Sequence, residues 1–254
     1  MHRAQWYFDT VINPGGNAPA GIALNPVMAG TLELELIEDA KSYLYSALVS
    51  VGDAVQAIQH ELFSWSTVKL YYSVFYALRA ALAAHKYAVL YHVVGQKGTP
   101  YRLRAASGEA PAKLSGNTHK VILQQYAAHF PRAPMVTQLI GIDKPFDWMM
   151  GRREDVNYKN AKFHEPAVPL FFRKIASEKV RHLLLAYIND NSTTFAFDPD
   201  HAILALPIAA IQTAKAAFAS KVPPVVLSQH DAKFLAGLFR DRHGEIPGAR
   251  QLIP

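Results

Sequence analysis

Two adjacent arginines, Arg152 and Arg153, followed by Asn157 and Tyr158 in the segment RREDVNY, are the residues best suited to hold an anionic ligand. On an α-helix Arg153 and Asn157, four apart, share a face, while Arg152 projects about 100° away. Arginine presents a planar fork that matches a phosphate, and asparagine can hydrogen-bond a phosphate, a sugar or a base but cannot shuttle a proton. Tyr158 adds a ring for stacking and a hydroxyl. Proton transfer would have to come from a histidine. His164 is the nearest in sequence to this cluster, and His119 lies three residues before Ile122, on or near the inward face of its own helix. His119 fits a structural role near a helix N-terminus as well. Arg79 and His85 form a further pair, but six residues turn a helix by about 600°, so they converge only if the chain leaves helical geometry near Ala84.

A second group is electrostatic. Between residues 86 and 132 lie Lys86, Lys97, Arg102, Arg104, Lys113, Lys120 and Arg132 against Glu109 alone, which equals the whole formal excess of +6. Concentrated positive charge favours RNA, DNA or an acidic protein partner, and Lys97, Arg102, Arg104 and Lys113 are the candidate phosphate contacts. The alternative is a solvated basic loop.

Other chemistries find no support. The absence of cysteine removes disulfides, thiolate metal sites and a cysteine nucleophile, and fits a reducing compartment. There is no HExxH, P-loop, GxGxxG or GxSxG motif, so no metal and no cofactor is expected. The first ten residues offer no apolar leader segment. The longest apolar run, residues 202–211 with Pro207 inside, is about half of the ~20 residues needed to cross a bilayer, so no membrane association and a cytoplasmic location are expected.

The elements that must position these groups read as helices. Residues 1–30, rich in Pro and Gly, are expected to form an irregular, extended N-terminal arm. From Thr31, Leu36, Ala40, Tyr43, Ala47, Val51, Val55, Ile58 and Leu62 recur at spacings of three and four, the stripe of a long helix. Ser64 is a candidate N-cap for a second helix with Val68, Tyr71, Phe75, Leu78 and Leu82 inward, antiparallel to the first. Residues 95–116 read as a long surface loop. A third helix is expected from Asn117 or Thr118 to just before Pro131, a fourth from Pro145 toward Tyr158, and a fifth over Phe172, Ala176, Val180, Leu183 and Tyr187. The prediction is a mainly α protein: an antiparallel bundle of about five helices over residues 31–195, with a small C-terminal appendage over 196–254. In that appendage Pro207 is expected to open one helix, and Ser228 another that stops at Gly244, with Arg242 and His243 at its basic end.

Three stretches, residues 65–82 (WSTVKLYYSVFYALRAAL), 117–131 (NTHKVILQQYAAHFP) and 152–158 (RREDVNY), resemble in order and spacing the HEPN (higher eukaryotes and prokaryotes nucleotide-binding) family, over roughly residues 34–190. The resemblance implies a dimerising helical bundle of prokaryotic defence or toxin–antitoxin systems, often a metal-independent ribonuclease. In active members an arginine holds the scissile phosphate and a histidine, separated from it by four to six residues, moves the proton. Here, with four residues between, Arg152 is followed by Asn157, so the resemblance implies a binding or degenerate version of the site. The expected function is a nucleic-acid-binding or interaction subunit, acting as a homodimer or in a larger complex. The alternatives are an active ribonuclease using Arg152 or Arg153 with His164 or His119, and a scaffold without nucleic-acid binding.

Overall fold

The computed structural model describes residues 2–221, 224 and 226–254. Helix accounts for 60% and strand for 10%, so the chain is mainly α. It forms two compact units, each discontinuous in sequence: residues 2–43 with 78–129, and residues 44–77 with 130–254. These boundaries differ from the expected ones at 30/31 and 195/196.

In the first unit, α1 (Arg3–Tyr7) and a π-helical turn (Phe8–Ile12) replace the first part of the expected extended arm. Asp39, 4% exposed, accepts hydrogen bonds from the backbone N–H groups of Arg3 (2.8 Å) and Ala4 (3.0 Å) and so caps α1 from a distant part of the chain. Helix α2 (Pro26–Gln59) starts five residues earlier than its apolar stripe predicts. Asn25 Oδ1 accepts from the Met28 N–H (2.8 Å) and Pro26 stands in the first turn, where its missing N–H costs nothing.

Helix α3 is Phe63–Ala84. Arg79 reaches Tyr43 in the first unit. In the second, Ser73 Oγ donates to Ala47 O (2.9 Å), Lys69 pairs with Asp53 (2.7 Å) and Ser66 Oγ reaches Ala54 O (3.4 Å). As the α3 number falls the α2 number rises, which is the expected antiparallel register.

The long loop expected over residues 95–116 is corrected by a three-stranded antiparallel sheet, β1 (Tyr87–Val94), β2 (Lys97–Arg104) and β3 (Ala112–Lys113). The β-branched and aromatic run YAVLYHVV favours a strand, and Gly95, at φ +61°, supplies the left-handed turn position between Val94 and Lys97. Ala88 pairs with Leu103 and Leu90 with Tyr101, all four buried, so this face of the sheet joins the core. Gln5 locks α1 to β1: its Nε2 donates to Tyr91 O (3.2 Å) and its Oε1 accepts from the Tyr91 N–H (2.7 Å). Helix α4 (Thr118–His129) completes the unit, with Asn117 as its cap (3.0 Å to the Lys120 N–H) and Ile122 and Tyr126 buried as expected.

The second unit adds α5 (Pro134–Thr137), α6 (Pro145–Glu154), α7 (Arg173–Glu178), α8 (Val180–Ile188), α9 (Ala202–Ala219) and α10 (Gln229–Leu238). A hairpin of β4 (Arg240–Asp241) and β5 (Gly244–Glu245) follows. The fifth expected helix is broken at Lys179, whose backbone is left-handed (φ +67°). Pro207 does not open a helix but lies inside α9, which begins at Ala202. Among the described residues α9 alone is long and apolar enough to cross a membrane, but 72% of it is buried inside the unit, as for a core helix. Ser228 caps α10 as expected, its Oγ accepting from the Asp231 N–H (3.1 Å). The helix stops at Leu238 rather than Gly244, and Arg242 and His243 occupy the hairpin turn instead of a helix end.

Candidate nucleic-acid interface

The arginine pair sits where α6 ends. Asp155–Lys159 continues not as α-helix but as one π-helical turn, in which residues five apart come into line. Arg153 meets Tyr158, five residues on: Arg153 Nη2 donates to Tyr158 Oη (3.3 Å) and the guanidinium lies 5.6 Å from the ring centre. Tyr71 (5.1 Å) and Tyr72 (5.7 Å) on α3 complete an aromatic cage around the same group. Tyr71 follows from the stripe of α3, but the cage needed the α6–α3 packing to be known.

Arg152 turns the other way, over Trp148 (5.0 Å) and Phe171 (5.3 Å), with Asp155 Oδ2 3.5 Å from its Nη1. Asp155 is shared with Lys159 (2.8 Å). Among the described residues no carboxylate pairs with Arg153, and the buried Nε atoms of both arginines have no hydrogen-bond partner. Burial pushes the Tyr71 hydroxyl up to about 12 against the pull of the Arg153 charge, so it stays a neutral donor. Tyr158 is 71% exposed, which leaves its outer face open for a stacking base. Asn157 is half-buried beside this cage. The site can hold an anion and stack an aromatic ring.

The two histidines expected to move a proton lie on other segments. The His164 backbone N–H donates to Ser64 Oγ (3.1 Å), and the Glu165 carboxylate accepts from the Ser64 N–H (2.6 Å) and Oγ–H (2.7 Å). Ser64 is thus not the N-cap of α3 but the group capped by Glu165. Trp65 and Phe163 pack edge to face alongside (5.8 Å). Ser64 and Tyr71 are seven residues apart on α3, which puts the His164 segment about 10 Å along the helix axis from the Arg153 cage. His119 belongs to α4 of the first unit. The Arg79 guanidinium lies 4.2 Å from the Tyr43 ring centre and donates to its hydroxyl (2.6 Å), while His85 Nδ1 lies 2.9 Å from Ala81 O at the end of α3. Sequence reading missed this Arg79–Tyr43 pair and its neighbour His2 (5.2 Å from the Tyr43 ring), because residues 2 and 43 show no shared pattern.

In the first unit the four basic candidates divide between the two faces of the sheet. Arg102 and Arg104 alternate outward from β2, opposite Val89 and Tyr87, whereas Lys97 and Lys113 share the register of Tyr101 and Leu103 on the other face and are exposed at its margins. Beside the arginines, His129 stacks on Tyr87 at 3.7 Å and 18°. Burial and then the charges of Arg102 and Arg104 lower its pKa, so the imidazole is neutral at pH 7. Its Nε2 is buried without a partner. The odd-numbered outward positions of YAVLYHVV were legible as a strand face, but nothing in the sequence pairs Tyr87 with His129.

Among the described residues no three His, Asp or Glu side chains converge as a metal site. Comparison with protein-family models, with curated proteins and with solved structures finds no match to this chain.

Proposed function

We propose that this chain is a HEPN-like nucleic-acid-binding or interaction subunit with a degenerate ribonuclease site. It belongs to a prokaryotic, intracellular defence or toxin–antitoxin type system, and works as a homodimer or within a larger cytoplasmic complex. The observation that carries the binding half is the Arg153 cage: a guanidinium without a carboxylate partner among the described residues, walled by three tyrosines, one of them open to solvent. A phosphate on the arginine and a base on Tyr158 use both features at once. Asn157, in the place where a catalytic histidine would be expected, supports binding without cleavage.

Cleavage has one observation in its favour as a second reading. His129 is a neutral imidazole beside Arg102 and Arg104, the residue types that metal-independent phosphodiester cleavage needs. The test is incubation of single-stranded RNA in EDTA with the wild type and with Arg153→Ala, His164→Ala, His129→Gln and Asn157→His, each first checked for folding. Binding that is weakened by Arg153→Ala, with no cleavage by the wild type, is the expected result. Wild-type cleavage abolished by His129→Gln or His164→Ala would replace it with the ribonuclease, and a folded wild type that binds no nucleic acid would leave a scaffold.

A further inference from the structure

The second unit contains a cleft of about 810 Å³ that shares no residue with the Arg153 cage. Three segments and Val168 line it: residues 56–63 from the end of α2 to the start of α3, residues 175–182 across the α7–α8 break, and residues 240–243 of the β4–β5 hairpin. Its floor is apolar, with Ile58, Phe63, Ile175 and Val180 buried. Its rim is basic. Lys179, Arg240 and Arg242 are exposed there, and among the described residues no carboxylate forms an ion pair with any of them. Glu245, which faces Arg240 across the hairpin, is taken by Arg250 (2.7 Å), so the acidic group left on the rim is Glu61.

The hairpin that carries the two arginines is braced rather than loose. Gln56 Nε2 donates to Leu238 O and Arg240 O (2.6 Å each), and Gln59 Nε2 to Arg240 O (3.1 Å). From α8, Arg181 grips Asp241 with two hydrogen bonds (2.6 and 2.5 Å) and adds Gly244 O (3.1 Å). Arg181 and Asp241 neutralise each other, which leaves the net positive charge to Lys179, Arg240 and Arg242, the last of which donates from Nε to His243 Nε2 (3.0 Å). Lys179 and Glu61, both lining the cleft, hold left-handed backbone (φ +67° and +59°), which non-glycine residues adopt only where the surroundings impose it. His60, His182 and His243 add ring N–H groups around the opening.

We propose that this cleft binds a small organic phosphate, its phosphate held by Lys179, Arg240 and Arg242 and its organic body seated on the apolar floor. The volume falls in the range of about 300–1,000 Å³ typical of small-molecule sites, and walls on three sides favour a discrete ligand over a continuous strand. Fixed guanidinium groups are the usual partners of such anions. The proposal stands apart from the nucleic-acid reading and does not depend on it.

Calorimetric titration of the full chain with ADP and, separately, with inorganic pyrophosphate tests it. ADP should bind more tightly than pyrophosphate. The double variant Arg240→Ala/Arg242→Ala should weaken ADP binding by on the order of tenfold or more, since two charge-assisted contacts are lost. Lys162→Ala, an exposed lysine outside the cleft, should leave it unchanged. If the double variant melts early, Lys179→Gly, compatible with the left-handed backbone, should show the same direction of change. No ADP binding at millimolar concentration, or unchanged affinity in the folded variants, overturns the proposal. Pyrophosphate binding as tight as ADP removes the seat for an organic body and overturns it too. Displacement of ADP by a single-stranded oligonucleotide at micromolar concentration would make the cleft a nucleic-acid groove instead.

Discussion

Neutralising Arg102 and Arg104 together should change how RNA binding depends on salt. The two side chains leave β2 on the same face, two residues and hence about 6.6 Å apart, and neither belongs to the core. Arg104 is 51% exposed and its nearest carboxylate, Glu109, lies at 3.9 Å, a separation that leaves the guanidinium available to a phosphate. If each arginine neutralises one phosphate of a single strand, Arg102→Gln/Arg104→Gln lowers the slope of log affinity against log salt by about 1.4. Between 50 and 200 mM salt the affinity ratio of wild type to variant should then shrink by about sevenfold. Fluorescence anisotropy with a labelled single-stranded RNA at four salt concentrations measures this, with thermal unfolding as the folding control. The pair Lys97→Gln/Lys113→Gln, registered to the opposite face, should change the slope by less. An unchanged slope in the arginine variant, or equal changes in the two pairs, would refute the assignment of the arginine face to the phosphates.

Glu165→Gln should cost roughly 1–2 kcal/mol at neutral pH, because the carboxylate accepts two short hydrogen bonds from Ser64. Burial works against ionisation, but those bonds win and hold the Glu165 carboxyl below its ordinary value. Its stabilisation is therefore present above the ordinary carboxylate pKa and lost as the pH falls through the lower folded value. Urea unfolding should separate wild type and variant at pH 7 and bring them together in acid; a constant difference would argue against the ionised cap. Gly52→Ala should destabilise by roughly 1–3 kcal/mol, since its Cβ would lie 2.8 Å from Leu238 Cβ and 3.2 Å from Leu238 Cδ1. A melting temperature equal to wild type would show that α10 yields at no cost.

Helix legibility followed the strength of the apolar stripe. The interior of α2, all of α4 and the α10 cap were readable because periodic apolar residues or a Ser–Asp pair marked them locally. The start of α2 was marked by Asn25–Pro26, a signal masked by the neighbouring Gly and Pro residues. The break at Lys179 and the π-helical turn at Asp155–Lys159 carry no residue-type signature, since no Gly or Pro stands at either. The π turn matters most, because it brings Tyr158, five residues on, to Arg153. The sheet was hidden by the basic residues of β2, which read as loop composition although Arg102 and Arg104 alternate with the buried Tyr101 and Leu103. Of the site itself, Arg152, Arg153 and Tyr158 were visible as types. Their aromatic cage and the His129–Tyr87 stack arise only from tertiary packing.

Replacement of Arg153 by lysine tests the central claim most directly, because lysine keeps the charge but loses the planar group that three tyrosine rings enclose. Anisotropy titrations of single-stranded RNA in EDTA should show that the wild type binds without cleaving, that Arg153→Lys binds several-fold more weakly, and that Arg153→Ala binds more weakly still with an unchanged fold. Equal affinity of wild type, Arg153→Lys and Arg153→Ala would contradict the account, because RNA would then bind without the caged arginine.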